Sequence, residues 1–216
     1  MNTLIITGGG IETDLALEIL NETYDQIIGV DGGLAFCHAQ GICPTRIVGD
    51  FDTLDPEILA WYKEHTQVPI RAFNPEKDAT DTQIAVELAL EMGSSRIVIL
   101  GGTGSRLDHV LGNIQTLYLP LRKGVECLIV DRHNRIRLIE KYHCIAKKEQ
   151  YGTYFSLIPF TTQAEGVTLL GAKYPLTDYC FTVFGSGSLG VSNEVAGEQT
   201  EIFIKKGILI LIESKD

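Results

Sequence analysis

The chain has 216 residues, 44% hydrophobic and 21% charged, the proportions of a globular protein of one large or two small domains rather than a disordered one. Its 18 Lys and Arg stand against 28 Asp and Glu. The resulting net charge of −10 argues against a basic nucleic-acid surface, but not against a small anionic ligand held through a metal ion.

The N-terminal MNTLIITGGG lacks the basic start and long apolar core of a signal peptide. No apolar run approaches the roughly 18 residues of a membrane span. Cys37, Cys43, Cys127, Cys144 and Cys180 contain no C-x-x-C, which favours reduced cytoplasmic thiols over a disulfide framework or a zinc site.

The first part alternates apolar runs with helical spacing. Thr3–Thr7 is an apolar run ending in Gly8-Gly9-Gly10, and a helix follows from Thr13 to about Tyr24. Gln26–Val30 ends in Asp31-Gly32-Gly33, and Arg46–Val48 ends in Gly49-Asp50-Phe51-Asp52. A helical stretch with Ile58, Leu59 and Trp61 precedes a short strand at Val68–Ala72. Thr80 to Met92 reads as an amphipathic helix stopped by Gly93. Arg96–Leu100 is a buried strand ending in GGTGS, a helix spans Leu107 to Leu121, and Glu126–Val130 is a further strand. Repeated strand–loop–helix units imply a parallel sheet covered by helices.

The pattern changes after about Asp131. Arg135–Glu140, Thr153–Leu157, Gly166–Leu170, Tyr179–Phe184, Glu201–Ile204 and Ile208–Ile212 read as strands with no helix between them. That is the signature of a small antiparallel β-sandwich. The expected fold is therefore α/β followed by all-β: a mostly parallel, Rossmann-like domain over 1–131, then a β-sandwich over 132–216, with the boundary region at 131–145.

Acidic residues fall just beyond the apolar runs: Asp31, Asp50, Asp52 and Asp108, with Asp81 at a helix start. In an open parallel sheet, strand carboxyl ends line one edge, so residues distant in sequence meet at one crevice. Clustered carboxylates repel one another unless they hold a cation, and hard oxygen ligands suit Mg²⁺, which commonly arrives with phosphates. Taken singly, Asp31 and Asp81 also fit a turn and a helix cap. Asp50 and Asp52, two apart on an extended segment, would face one way while Phe51 turns into the core.

Gly8-Gly9-Gly10 sits where a phosphate-binding turn would, or serves as a plain tight turn; it matches neither G-x-G-x-x-G nor a P-loop. Gly101-Gly102-Thr103-Gly104-Ser105 is the stronger candidate, because Arg106 follows it with a guanidinium. Lys77 can reach a phosphate or be a solvated lysine, and His109 can be a base or a helix-start residue. The segment from Gly185 to Glu194 is rich in small hydrogen-bonding residues, which suits either a flexible hairpin loop or a binding loop.

The ordered set DGG (31–33), GDFDT (49–53), KDATD (77–81), GGTGSRLDH (101–109) with Asn113, and GVSNE (190–194) resembles the thiamine pyrophosphokinases over nearly the whole chain. One departure is GDFDT where GDFDS is usual, and Thr keeps the hydroxyl. The resemblance implies transfer of pyrophosphate from ATP to the hydroxyl of thiamine with release of AMP. It further implies Mg²⁺ and a homodimer whose active site is shared between subunits, with no nucleic-acid or membrane partner.

Residue by residue, it implies Asp50, Asp52 and Asp81 as metal ligands. ATP would be bound by Asp31, Gly32, Lys77 (where relatives can carry Gln), Thr80, Gly102, Thr103 and Arg106. Asp52, Asp81, Arg106 and Asp108 would be catalytic, and Asp81, Asp108, Ser192 and Asn193 would lie on the thiamine side. Two other readings compete: a pyrophosphokinase of the same fold acting on another alcohol, such as a hydroxymethylpterin, and a non-catalytic nucleotide or thiamine sensor.

Overall fold

The apolar runs of the first half become parallel strands because their side chains are buried on both faces of one sheet. The computed structural model describes residues 1–72, 79–185 and 188–216. The chain divides into two units, Met1–Arg132 and His133–Asp216.

In the first unit the strands are β1 (Asn2–Ile6), β2 (Gln26–Val30), β3 (Arg46–Gly49), β4 (Ile70–Ala72), β5 (Arg96–Leu100) and β6 (Glu126–Val130). They pair in parallel in the order β4-β3-β2-β1-β5-β6. Leu4, Ile5, Ile6, Ile97 and Ile99 are fully buried at its centre. The chain builds outward from β1 to β4 on one side and returns to β5 on the other. This reversal opens a crevice at the carboxyl ends of β1 and β5.

The helices are α1 (Thr13–Leu20), α2 (Gly33–Ala39), α3 (Pro56–His65), α4 (Asp81–Glu91), α5 (Leu107–Thr116) and α6 (Tyr118–Arg122). Three differ from expectation: α1 stops at Leu20, a turn short of Tyr24. Helix α2 is an addition, hidden in sequence because Gly32-Gly33 reads as a turn. Gly33 is there for close approach: a Cβ on it would lie 2.2 Å from the Ile6 carbonyl oxygen. The expected single helix from Leu107 to Leu121 divides at Leu117 into α5 and α6. Pro120 has no N–H to donate, and its ring conflicts with the carbonyl four residues earlier.

The second unit is antiparallel. Strand β13 (Leu209–Ser214) pairs with β7 (Asn134–Ile139) and β9 (Tyr154–Pro159). A second sheet runs in the order β11 (Leu176–Thr182), β10 (Gln163–Leu170), β12 (Gln199–Phe203), β8 (Tyr142–Ala146). The two sheets share one apolar cluster that includes Phe155, Leu209 and Leu211 from the first and Val167, Phe181 and Ile202 from the second, which is how a sandwich is built. Strand β8 was not expected: it is an edge strand whose exposed Tyr142 blurs the alternation.

All five cysteines are free thiols. Among the described residues no helix is long and apolar enough to cross a membrane.

Candidate active site

Two glycine loops meet at the crevice. Gly9 N–H donates to Gly101 O at 2.9 Å, and Gly10 N–H donates to Thr103 O at 2.7 Å. A Cβ on Gly9 would lie 2.1 Å from Thr103 O and 2.2 Å from Gly101 O, so no side chain fits there. Gly101 has φ +72°, which glycine adopts freely. The buried Asn113 amide donates to Gly102 O at 2.8 Å, and the Thr103 hydroxyl donates to Asp131 Oδ2 at 2.8 Å. The first loop therefore spends two of its N–H groups holding the second. Of its two sequence readings, the tight turn describes Gly9 and Gly10.

These loops wall a cleft of about 660 Å³ that also includes Asp31, Asp50, Asp52, Thr53, Thr80, Asp81, Arg106, His109 and Asn113. Asp31, Asp50 and Asp52 each offer one carboxylate oxygen, all within 4.8 Å of one another. Asp31 follows β2 with φ +42°, and its N–H donates to Val48 O at 3.1 Å. The Thr53 hydroxyl donates to Asp31 Oδ2 at 2.8 Å, which gives the hydroxyl of GDFDT a task. Asp31 Oδ1 is buried and has no hydrogen-bond partner among the described residues. The Asp50 charge, foremost, raises the Asp52 carboxyl above the usual carboxylate range.

The route by which Asp50 and Asp52 converge differs from the extended alternation expected. Strand β3 stops at Gly49, and Phe51 sits at φ +60°. Asp52 N–H donates back to Asp50 Oδ1 at 3.3 Å, closing a turn. Phe51 is only partly buried; its ring folds over Gly49, where an added Cβ would lie 3.1 Å from Phe51 Cε1. A tight turn, not strand pleat, gathers the two carboxylates.

This donor set fits a hard divalent cation. It consists of carboxylate oxygens, it is mutually repulsive, and it contains a buried oxygen with a spare lone pair.

Asp81 is the first residue of α4 and lines the same cleft outside the group of three. Thr80 caps that helix by accepting from Gln83 N–H at 3.2 Å. The buried Thr82 and Thr7 hydroxyls bond at 3.1 Å, tying α4 to the end of β1. Gly32 leads into α2 and backs onto Gly8, where an added Cβ would lie 3.3 Å from Gly32 Cα. Lys77 lies outside the described residues.

Across the cleft, Arg106 Nη2 and Nε donate to Asp108 at 2.7 and 3.3 Å. Both side chains are exposed. The hydrogen bond from Arg106 is the main reason the Asp108 carboxyl falls to about 2, and the same bond raises the Arg106 guanidinium. A carboxylate that holds its proton so weakly is a poor base at neutral pH. Asp108 bears on the cleft through its hold on Arg106.

In the second unit, 190–194 is laid along β9. Leu157 N–H donates to Gly190 O at 2.8 Å, and Ser192 N–H donates to Ser156 Oγ at 3.1 Å. Asn193 exchanges both main-chain bonds with Phe155, at 2.8 and 2.9 Å. The flexible-loop reading therefore does not describe these residues. Ser192, at φ +58°, is exposed. Asn193 is 5% exposed, and its amide brackets Tyr174: Oδ1 accepts from Tyr174 N–H at 3.0 Å, and Nδ2 donates to Tyr174 O at 2.8 Å.

Sequence reasoning missed Asp131, Ser156 and Tyr174. Asp131 had a signal, because it follows β6 directly, as Asp31 follows β2. Ser156 and Tyr174 had none.

Two family models match the chain: the thiamin pyrophosphokinase catalytic domain over residues 17–129, and the thiamin pyrophosphokinase vitamin B1 binding domain over residues 142–209. A thiamine pyrophosphokinase of Bacillus subtilis (strain 168) is 34% identical over 218 residues, covering 100% of both chains. The crystal structure of a Bacillus subtilis thiamine pyrophosphokinase superposes with a TM-score of 0.87 at 33% identity, over 100% of both chains. That of a Geobacillus thermodenitrificans thiamin pyrophosphokinase gives 0.85 at 31% identity, over 100% of this chain and 98% of the other.

Proposed function

The chain belongs to the thiamin pyrophosphokinase family, and we propose that the cleft walled by its two glycine loops is where that family's reaction takes place. The enzyme transfers pyrophosphate from ATP to the hydroxyl of thiamine, giving thiamine diphosphate and AMP. The thiamine oxygen bonds to the β-phosphorus, the bond from that phosphorus to the α,β-bridging oxygen breaks, and the hydroxyl proton is released. The single observation that best supports this site is the convergence of Asp31, Asp50 and Asp52 in one cleft with Arg106 and the Gly101–Ser105 loop.

That placement and the family resemblance support the following residue roles. Asp50 and Asp52, with Asp31 beside them and Asp81 in the cleft wall, are the residues that would hold Mg²⁺. When bound, the ion offsets phosphate charge and polarises the phosphoryl oxygens. Gly102, Thr103 and Ser105 form the nucleotide loop, with Thr80 and Gly32 supporting neighbouring turns. Arg106, aimed by Asp108, stabilises charge on the group in transfer. Asp81 orients the thiamine hydroxyl or takes its proton. Ser192 meets thiamine directly, and Asn193 shapes that surface through Tyr174.

We assign ATP and Mg²⁺ to residues 1–131, a Rossmann-like unit in its parallel order and its reversal at β1 and β5, and thiamine to 132–216. The free thiols support a reducing, cytoplasmic setting, and the resemblance supports a homodimer with a shared site.

The test is a chromatographic assay with Mg-ATP and thiamine. AMP and thiamine diphosphate are expected in equal amounts. ADP with thiamine monophosphate would overturn the mechanism. Faster turnover of a hydroxymethylpterin than of thiamine would overturn the acceptor.

A further inference from the structure

Gly101, Gly102 and Gly104 give the nucleotide loop no side chains by which to be held, so its backbone freedom has to be removed from outside. Gly9 N–H and the Asn113 amide hold the Gly101 and Gly102 carbonyls, and Thr103 is the handle within the loop itself. Its carbonyl accepts from Gly10 N–H at 2.7 Å, and its hydroxyl donates to Asp131 Oδ2 at 2.8 Å. Asp131 follows β6 and is not among the residues lining the cleft. The loop lies on the end of that strand: a Cβ on Gly102 would come within 2.8 Å of Ile129 Cγ2.

We propose that Asp131 is a positioning residue for the nucleotide, fixing the Gly101–Ser105 loop through the Thr103 hydroxyl. The inference rests on the reading of this cleft as the nucleotide site. Asp131 touches no substrate in this role. A hydrogen bond to an ionised carboxylate is roughly twice as strong as a neutral one. It orders Thr103 before the ligand arrives, so binding does not have to supply that order. The same bond commits the Thr103 hydroxyl proton to Asp131 rather than to the phosphates.

The test is a double-mutant cycle with a conservative rescue: Asp131→Ala, Asp131→Asn, Thr103→Val and the Asp131→Ala/Thr103→Val double variant. Losing a charge-assisted bond should raise the KM for Mg-ATP about tenfold in either the Ala or the Val variant. The KM for thiamine should be unchanged. Asp131→Asn keeps an acceptor oxygen but not its charge, and should fall between wild type and Asp131→Ala. The double variant should be no worse than either single one. Additive losses in the double variant, or a wild-type KM in Asp131→Ala, would overturn the proposal.

Amide hydrogen exchange across 101–105 in the full chain gives an arm independent of turnover. Exchange there should quicken equally in Asp131→Ala and Thr103→Val, and less in Asp131→Asn. Unchanged exchange in Asp131→Ala would refute the positioning role. If the wild-type protein instead made no AMP, the assigned function would fail while the exchange measurement still decided this point.

Discussion

Asp31, Asp50 and Asp52 carry like charge within 4.8 Å, and their repulsion is a cost the folded chain bears unless a cation offsets it. Asp52→Asn should therefore do opposite things to stability and to rate. The metal-free melting temperature should rise, the increment given by added Mg²⁺ should shrink, and turnover should fall about 10²-fold or more. Melting curves with and without Mg²⁺, beside the AMP assay, check all three; near-normal turnover by the folded variant would remove Asp52 from the metal site. Ser192 and Asn193 separate in the same manner. Ser192 is exposed, so Ser192→Ala should raise the KM for thiamine and leave that for ATP unchanged. Asn193 is buried with its amide committed to Tyr174, so Asn193→Ala should also cost about 1–3 kcal/mol of stability in denaturant titration. The carboxylates were legible in sequence because strand ends fix their place. What each polar group is spent on was not, since Thr103 finds Asp131 and Asn193 finds Tyr174 across turns that no spacing reveals.

At the scale of elements, strands β2, β5 and β6 were legible to the residue, because each is an apolar run closed by a turn. Helix α2 was not: its decisive contact is Gly33 against the carbonyl of Ile6, which sequence order does not show. The turn after β3 was misread for a related reason, since the left-handed Phe51 belongs to a non-glycine residue and carries no sequence mark. The interlocked loops give this scale its prediction. A methyl on Gly9 meets two carbonyl oxygens that are themselves backbone, so neither can step aside cheaply. Gly9→Ala should lower stability by at least about 1–3 kcal/mol and weaken nucleotide binding. The Ser192 segment makes none of these contacts, so thiamine binding by the folded variant should persist. Calorimetry with each ligand separately checks this, and unaltered ATP affinity would mean that the loops are not one nucleotide-binding structure.

At the scale of the molecule, the proposed chemistry is divided between two units. The carboxylates, glycine loops and Arg106 belong to Met1–Arg132, and the Ser192–Asn193 segment belongs to His133–Asp216. Thiamine is a cation, so an acidic protein of net charge −10 attracts it, while the proposed metal site and Arg106 would reconcile that charge with ATP. The proposed homodimer makes a specific claim about how the two sets combine. If a site takes its first set from one subunit and its second from the partner, two inactive variants can repair each other. Asp52→Asn disables the first set. Ser192→Arg sets bulk and positive charge against a cationic vitamin and disables the second. Unfolded together and refolded as an equal mixture, half of the dimers would be mixed. Each mixed dimer would pair one intact first set with one intact second set, and the two disabled sets with each other. Activity should then return to roughly a quarter of wild type. Sites confined to single chains would return none, because every chain carries one lesion. Light scattering on the same mixture establishes the dimer independently, so a silent mixture of dimers would overturn the shared site and leave the dimer standing.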